Sequence, residues 1–350
     1  APGYESFDLP AVALEECRKR GMQLHAWLID FFEGENGAAY KAHPEWAMTN
    51  AKGQPTNTEI LRGSRFTGLW MCPARRPGYT DQWLVPILQE FADRYKVDSI
   101  HHDYIRYPGD VAPDQYCFCD DCLVNIPKWA TYCSESFPNE PFYHELYDRG
   151  YLESHWEQSP RVLPHNWDSI GRESQSRFLL EGSFFHGGRY DLDYFFYLYR
   201  AHWITEFARL AREAIDPSIA ISAAIFKNPV HSGRFIGQDW RQFSPYVDIA
   251  IPMDYRDHFP GSFDTYLALL SETISKQKTW ARDFKSLLIG VAINFLFFEE
   301  DRSTSSPDPG KLHAVAEVVA NSQTDGIVFF CEGHLHQYSL WNEMQKVLTA

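Results

Sequence analysis

Short apolar runs alternate with helix-period patterns along most of the chain. Runs at Gln23–Phe32, Gly68–Ala74, Asp98–Tyr107, Ser218–Lys227, Val247–Asp254, Ser286–Phe295 and Gly326–Glu332 read as strands. Helices are predicted at Ala11–Arg20, stopped by Gly21, and at Leu192–Ile215, Phe263–Lys276, Lys311–Asn321 and Ser339–Thr349. A further helix at Thr80–Tyr95 repeats Trp83, Ile87, Phe91 and Tyr95 every four residues, which predicts that this face is its buried one. Strands that alternate with helices imply βαβ units and a parallel sheet. No glycine-rich phosphate loop follows a strand, which counts against a dinucleotide-binding fold. Seven such strands predict an α/β protein, a (β/α)8 TIM-type barrel spanning 1–350, with its first strand missing or irregular. The stretch after the strand ending at Tyr107 far exceeds a βα loop of about 2–6 residues. Residues 109–191 are therefore predicted to be an inserted lid within that single domain.

Polar residues collect at the ends of these strands, where a TIM barrel keeps its chemistry. They include His25, Trp27 and Asp30 on the first run and Arg75 and Arg76 after the second. The later runs end in His101, Asp103 and Arg106, then Lys227, then Asp254 and Tyr255, then Asn294, and finally Glu332. Side-chain alternation predicts that His101 and Asp103 face the barrel axis and that His102 and Tyr104 face away. Asp103 and Asp254 each end an apolar strand and each precede a tyrosine. Burying a carboxylate costs several kcal/mol unless it is paired. Two such residues at one barrel mouth suggest glycoside hydrolysis, which uses two carboxyl groups across the scissile bond. Packing alternatives exist: an ion pair with Arg106 for Asp103, a helix N-cap for Asp254, and a loop salt bridge for Glu332, a third candidate acid. Adjacent histidines point to opposite strand faces, so a metal centre built from His101, His102 and Asp103 is disfavoured. No metal ligand and no cofactor is assigned.

Composition narrows the partners. The formal net charge of −15 disfavours nucleic acid. No apolar run is long enough for a membrane span, and no signal-peptide core opens the chain. Aromatic residues make up 16% of the chain, more than a core of this size requires, and the surplus is available to stack on sugar rings. Seven cysteines are too many to pair completely within the chain. The run Cys117-Phe118-Cys119-Asp120-Asp121-Cys122 could be a zinc knuckle, a disulfide-pinned loop or free thiols, and an isolated CxxC lacks the second pair of a convincing zinc site.

The segments HAWLIDFF, HPEW (His43–Trp46), CPARRPGY (Cys72–Tyr79) and VDSIHHDYIRYP (Val97–Pro108) resemble, in order and spacing, the glycoside hydrolase-like TIM-barrel proteins known as family-10-like glycosyl hydrolases. Beyond Pro108 the likeness is one of architecture, through IPMDY and GIVFFCE. The group is similar in fold to the retaining α-galactosidase and α-glucosidase superfamily, where aspartates ending the fourth and sixth strands serve as nucleophile and acid/base. With the missing strand counted first, Asp103 ends strand four and Asp254 strand six. The resemblance thus implies a retaining glycosidase acting on an oligo- or polysaccharide, with Asp103 as nucleophile and Asp254 as acid/base. His25, Trp27, Asp30, His101, Arg106, Lys227, Tyr255, Asn294 and Glu332 are expected to bind the sugar. A non-catalytic carbohydrate-binding barrel is the alternative, with a metal-dependent hydrolase behind it. The expected location is extracellular or periplasmic.

Overall fold

The computed structural model describes residues 6–34, 36–55, 57–58, 68–109, 117–126, 166–181, 194–229, 232–299 and 306–349. Six strands form one parallel sheet: β1 (His25–Ile29), β5 (Ser99–Asp103), β6 (Ala220–Phe226), β7 (Ile249–Met253), β8 (Ser286–Ala292) and β9 (Gly326–Phe330), hydrogen-bonded in that order. β6 reads AISAAIF with a buried interior, as expected for a strand covered on both faces. The sheet curls until Trp27, on the first strand, meets Phe330, on the last, edge to face with ring centroids 5.9 Å apart. Helices connect successive strands, in the manner of a TIM-type barrel with irregularities.

One predicted barrel strand lies elsewhere. β4 (Gly68–Trp70) pairs antiparallel with both β2 (Phe32–Gly34) and β3 (Asn57–Thr58) in a separate three-stranded sheet. β1 pairs directly with β5 along its whole length, from His25 opposite Ser99 to Ile29 opposite Asp103. No edge of β1 on that side remains for β4. Counting β4 into the barrel was therefore incorrect, and Asp103 ends the second strand of the parallel sheet while Asp254 follows the fourth.

The helices fall close to their predicted positions. Asp8 caps Leu9–Lys19, Ser262 caps Phe263–Trp280 and Asp308 caps Pro309–Asn321, each side chain accepting a backbone N–H of the first turn. The run from Thr80 to Tyr95 is helical, with π-type turns flanking Val85–Glu90. Its buried stripe is Leu84, Leu88 and Ala92, while Trp83, Phe91 and Tyr95 pack partly buried at the side. The fourfold period was right and the face was off by one residue. The long helix Tyr194–Ala214 packs on β5, where its Phe207 meets His102. Of the predicted insertion, Gly109 and residues 117–126 and 166–181 are described and include the helix Gly171–Glu181; its remaining residues, with Cys133, Trp129 and Trp156, lie outside the described part. Among the described residues no helix is long and apolar enough to cross a membrane.

Candidate active site

Parallel register decides which side chains share a face, because residues paired across neighbouring strands point the same way. Trp27 pairs with His101, His101 with Ser222 and Ser222 with Ile249. The next row runs Leu28, His102, Ala223, Ala250. His102 belongs to the outer row, for its ring stands edge-on to Phe207 of the covering helix at 5.4 Å. His101 and Asp103 therefore face the barrel interior.

Asp103 is held at the mouth by its own strand end. Tyr104 takes a left-handed conformation with φ +54°, uncommon for a bulky side chain, and its N–H donates to Asp103 Oδ1 at 2.8 Å. Trp27 Nε1 donates to Oδ2 at 3.3 Å. Burial pushes the carboxyl above its ordinary range, while the Tyr104 N–H, the Arg106 guanidinium and the Trp27 N–H pull the other way. Arg106 lies over the rings of Trp70, Tyr104 and Phe226 at 5.0, 4.8 and 5.1 Å. Below Asp103, His101 Nδ1 is 2.9 Å from Ser222 Oγ. Burial lowers the His101 pKa to about 3, so this ring is a neutral hydrogen-bonding group. His25 lies lower on the same face, one residue pair before Trp27, and burial lowers its pKa as well.

Aromatic rings line the mouth around this carboxylate. Trp27 is 53% exposed, unusual for a tryptophan on a barrel strand, and offers an indole face to solvent beside Asp103. Tyr255 stacks on Phe330 at 6.2 Å and on His258 at 5.4 Å. Burial raises the Tyr255 phenol, and the nearby Asp103 charge adds to that rise. Asn294 follows β8, and its Oδ1 is buried with no hydrogen-bond partner among the described residues. Glu332 follows β9 and is exposed. Trp27, His101, Asp103, Arg106 and Tyr255 thus come together. Ser222, His258 and Phe330 join them without having been singled out from sequence; Tyr104, which alternation turns away from the axis, joins them too, because its left-handed φ of +54° ends the strand pattern. Ser222 had a usable signal, as the one hydroxyl inside an otherwise apolar strand.

Asp30, Lys227 and Asp254 stand apart, in the layer between sheet and helices. Asp30 and His102 are both fully buried, with Nδ1 3.0 Å from each Asp30 oxygen. Burial raises Asp30 to about 6 against the opposing pull of His102. His102→Ala should strand that carboxyl and cost about 3–5 kcal/mol of stability, read from denaturant unfolding. Lys227 donates to the His258 carbonyl and lies 3.5 Å from the Phe259 ring centroid.

Asp254 departs most from expectation. It lies on the outer row, two residues beyond Pro252, and is fully buried. Its Oδ1 accepts from Gln277 Nε2 at 3.0 Å, and its carbonyl accepts from Tyr266 Oη at 3.0 Å, both on the helix Phe263–Trp280. Oδ2 has no partner among the described residues. Burial raises its pKa to about 8, opposed by Gln277 and Lys227. The expectation that both aspartates present their carboxyls to one cavity thus conflicts with register and contacts, since Asp103 and Asp254 occupy opposite faces of the sheet.

This has a measurable consequence. Between its unfolded value of 3.8 and its folded value of about 8, Asp254 keeps a proton in the folded chain that the unfolded chain loses. Stability therefore falls as pH rises through that window, by about 1.4 kcal/mol per pH unit, and levels off above it. Asp254→Asn keeps the acceptor for Gln277 and removes the titration. Melting temperature should fall less for the variant than for the parent between about pH 5 and about pH 8.

Among the described residues, Cys72, Cys117, Cys119 and Cys122 form a group able to hold a metal.

Comparison with known proteins places the fold. Gan42B, a GH42 β-galactosidase, superposes with a TM-score of 0.58 at 13% identity, covering 94% of this chain and 44% of its own. The α-galactosidase TtGalA from Thermus thermophilus gives a TM-score of 0.44 at 9% identity, with 97% and 51% covered. The maltogenic α-amylase AmyB from Thermotoga neapolitana gives 0.43 at 10% identity, with 93% and 50% covered. The chain spans about half or less of the length of these three structures. No curated protein sequence matches it. A family model described as "putative glycosyl hydrolase domain" matches residues 10–278, and the chain belongs to that family.

Proposed function

We propose that this protein is a retaining glycoside hydrolase in which Asp103 attacks the anomeric carbon of an oligo- or polysaccharide. The observation that carries the reading is an inward-facing carboxylate at a strand end, held by the Trp27 and Tyr104 N–H groups under an exposed indole face. Trp27 and Tyr255 supply flat apolar surface for a sugar ring. Arg106, His101 and Asn294 supply donors and acceptors for its hydroxyls. In the first step Asp103 Oδ bonds to the anomeric carbon as the glycosidic bond breaks and the leaving oxygen takes a proton. In the second, water displaces Asp103 and returns a proton to the acid.

Two carboxyls compete for the role of proton donor. Glu332 is favoured by exposure: it follows Phe330, the ring that meets both Trp27 and Tyr255, and it pairs with no basic side chain among the described residues. In this reading Asp254 is a positioning residue, whose bonds to Gln277 and Tyr266 fix the strand end that carries Tyr255. The second reading keeps Asp254 as acid/base, and one observation favours it: its pKa of about 8 leaves it protonated at neutral pH. That reading requires the carboxyl to leave Gln277 and turn toward the mouth.

Assay of the purified chain on a panel of α- and β-linked oligosaccharides, with products identified by NMR, tests the activity itself. Hydrolysis with retained anomeric configuration is expected. Sugar binding without any product would instead make the barrel a carbohydrate-binding module. Trp27→Ala should raise KM by roughly 10-fold or more, in keeping with about 1–3 kcal/mol for a lost stacking face, and should lower kcat as well, because its N–H no longer holds Asp103. An extracellular or periplasmic location belongs to this proposal as well.

A further inference from the structure

Four cysteines from two distant parts of the chain meet beside the three-stranded sheet. Cys72 lies two residues beyond β4, Cys117 and Cys119 lead into the helical turn that begins at Asp120, and Cys122 lies within that turn. All four are buried and free of disulfides, and their sulfurs lie within 4.8 Å of one another. Cys72 Sγ is 3.7 Å from the sulfur of Cys119 and 3.7 Å from that of Cys122. A disulfide would bring two sulfurs to about 2.05 Å. A tetrahedral ion with metal–sulfur bonds of about 2.3 Å spaces its four sulfurs about 3.8 Å apart. Iron–sulfur clusters place several irons and sulfides between their thiolates and need a wider cage.

We propose that Cys72, Cys117, Cys119 and Cys122 bind one zinc ion as a closed tetrathiolate, a structural site that ties the insertion to the barrel. Sequence spacing hides it because the CxCxxC run supplies three ligands and the fold brings the fourth from behind β4. Four thiolates leave no open position, so the ion has no substrate to activate. With Zn²⁺ they carry a net charge of −2. The Arg75 guanidinium lies beside Cys119 and Cys72 and offsets part of it, while pairing with Asp121 at 2.7 Å. The Cys122 N–H faces the Cys119 sulfur, the kind of donor that steadies a metal-bound thiolate.

The ion would hold more than its own loop. Phe118 N–H donates to the Thr49 carbonyl at 2.7 Å, and Trp167 Nε1 donates to the Leu123 carbonyl at 2.8 Å. Arg172, on the helix Gly171–Glu181, bonds to the Phe118 carbonyl and to Asp120. The described parts of the insertion thus dock on the metal-held turn. On the other side, Cys72 continues β4, whose Trp70 lies under Arg106 at the mouth.

Metal analysis of the chain purified without chelators should find one zinc per molecule. Cys119→Ser and Cys122→Ser should lower zinc content at least about 10-fold, while Cys17→Ser, outside the cluster, retains it. Should the serine variants fail to fold, refolding the parent chain with Co²⁺ in place of Zn²⁺ keeps the proposal testable. A thiolate-to-cobalt charge-transfer band with tetrahedral visible bands supports it, and their absence overturns it. Stoichiometric iron, a metal-free folded protein, or disulfides among these cysteines detected by alkylation and mass spectrometry would each overturn it. None of these readouts depends on glycosidase activity.

Discussion

Asp103→Asn is expected to lower kcat/KM by about 10⁴-fold or more on any glycoside the parent cleaves, a loss of at least about 5.5 kcal/mol of transition-state stabilisation. An amide does not form the glycosyl ester, and no other described carboxyl shares the Trp27 and Tyr104 donors. The fold should tolerate the change. The amide oxygen still accepts a hydrogen bond, and a neutral group relieves the burial that raises the Asp103 pKa. A melting temperature equal to or above that of the parent would separate lost chemistry from lost structure. Small anions should partly restore turnover by filling the role of the missing carboxylate. The same burial predicts the pH profile. Asp103 must be ionised to attack, so kcat/KM should rise with pH through a pKa above the ordinary aspartate value, and that limb should vanish in the variant.

The second large effect concerns the proton donor. Glu332→Gln should reduce kcat/KM by about 10²–10⁴-fold on natural glycosides, the usual contribution of a positioned acid. The loss should shrink on aryl glycosides whose phenolate leaves without a proton. Asp254→Asn should keep turnover at neutral pH within several-fold of the parent, because the amide preserves the bond from Gln277. The opposite pattern, with Glu332→Gln near normal and Asp254→Asn losing natural but not activated substrates, would transfer the acid role to Asp254.

Much of the frame is written locally. The apolar run of β6 and the capped helices Phe263–Trp280 and Pro309–Asn321 follow from composition and end signals within a few residues. Alternation along β5 separates Asp103 from His102 without reference to any other strand. What could not be read locally depends on partners far away. Gly68–Trp70 is a three-residue apolar run that looks the same in a parallel or an antiparallel sheet, and only the pairing of His25 with Ser99 excludes it from the barrel. Asp254 shows the same limit. Its parity within β7 is plain, but which parity faces inward is fixed by the pairing of Phe226 with Met253. The helix Thr80–Tyr95 carries two adjacent apolar stripes, and the neighbouring elements select the one through Leu88. Cys72 joins the CxCxxC run only through the three-stranded sheet.

The proposed mechanism rests on Asp103 as the attacking carboxylate. Its most direct test is to incubate the protein with an activated 2-deoxy-2-fluoro glycoside of the sugar it hydrolyses, and then to map the labelled peptide by mass spectrometry. A fluoroglycosyl group esterified to Asp103 is predicted. A label on a different carboxylate, or hydrolysis that proceeds with inversion and leaves no label, would contradict it.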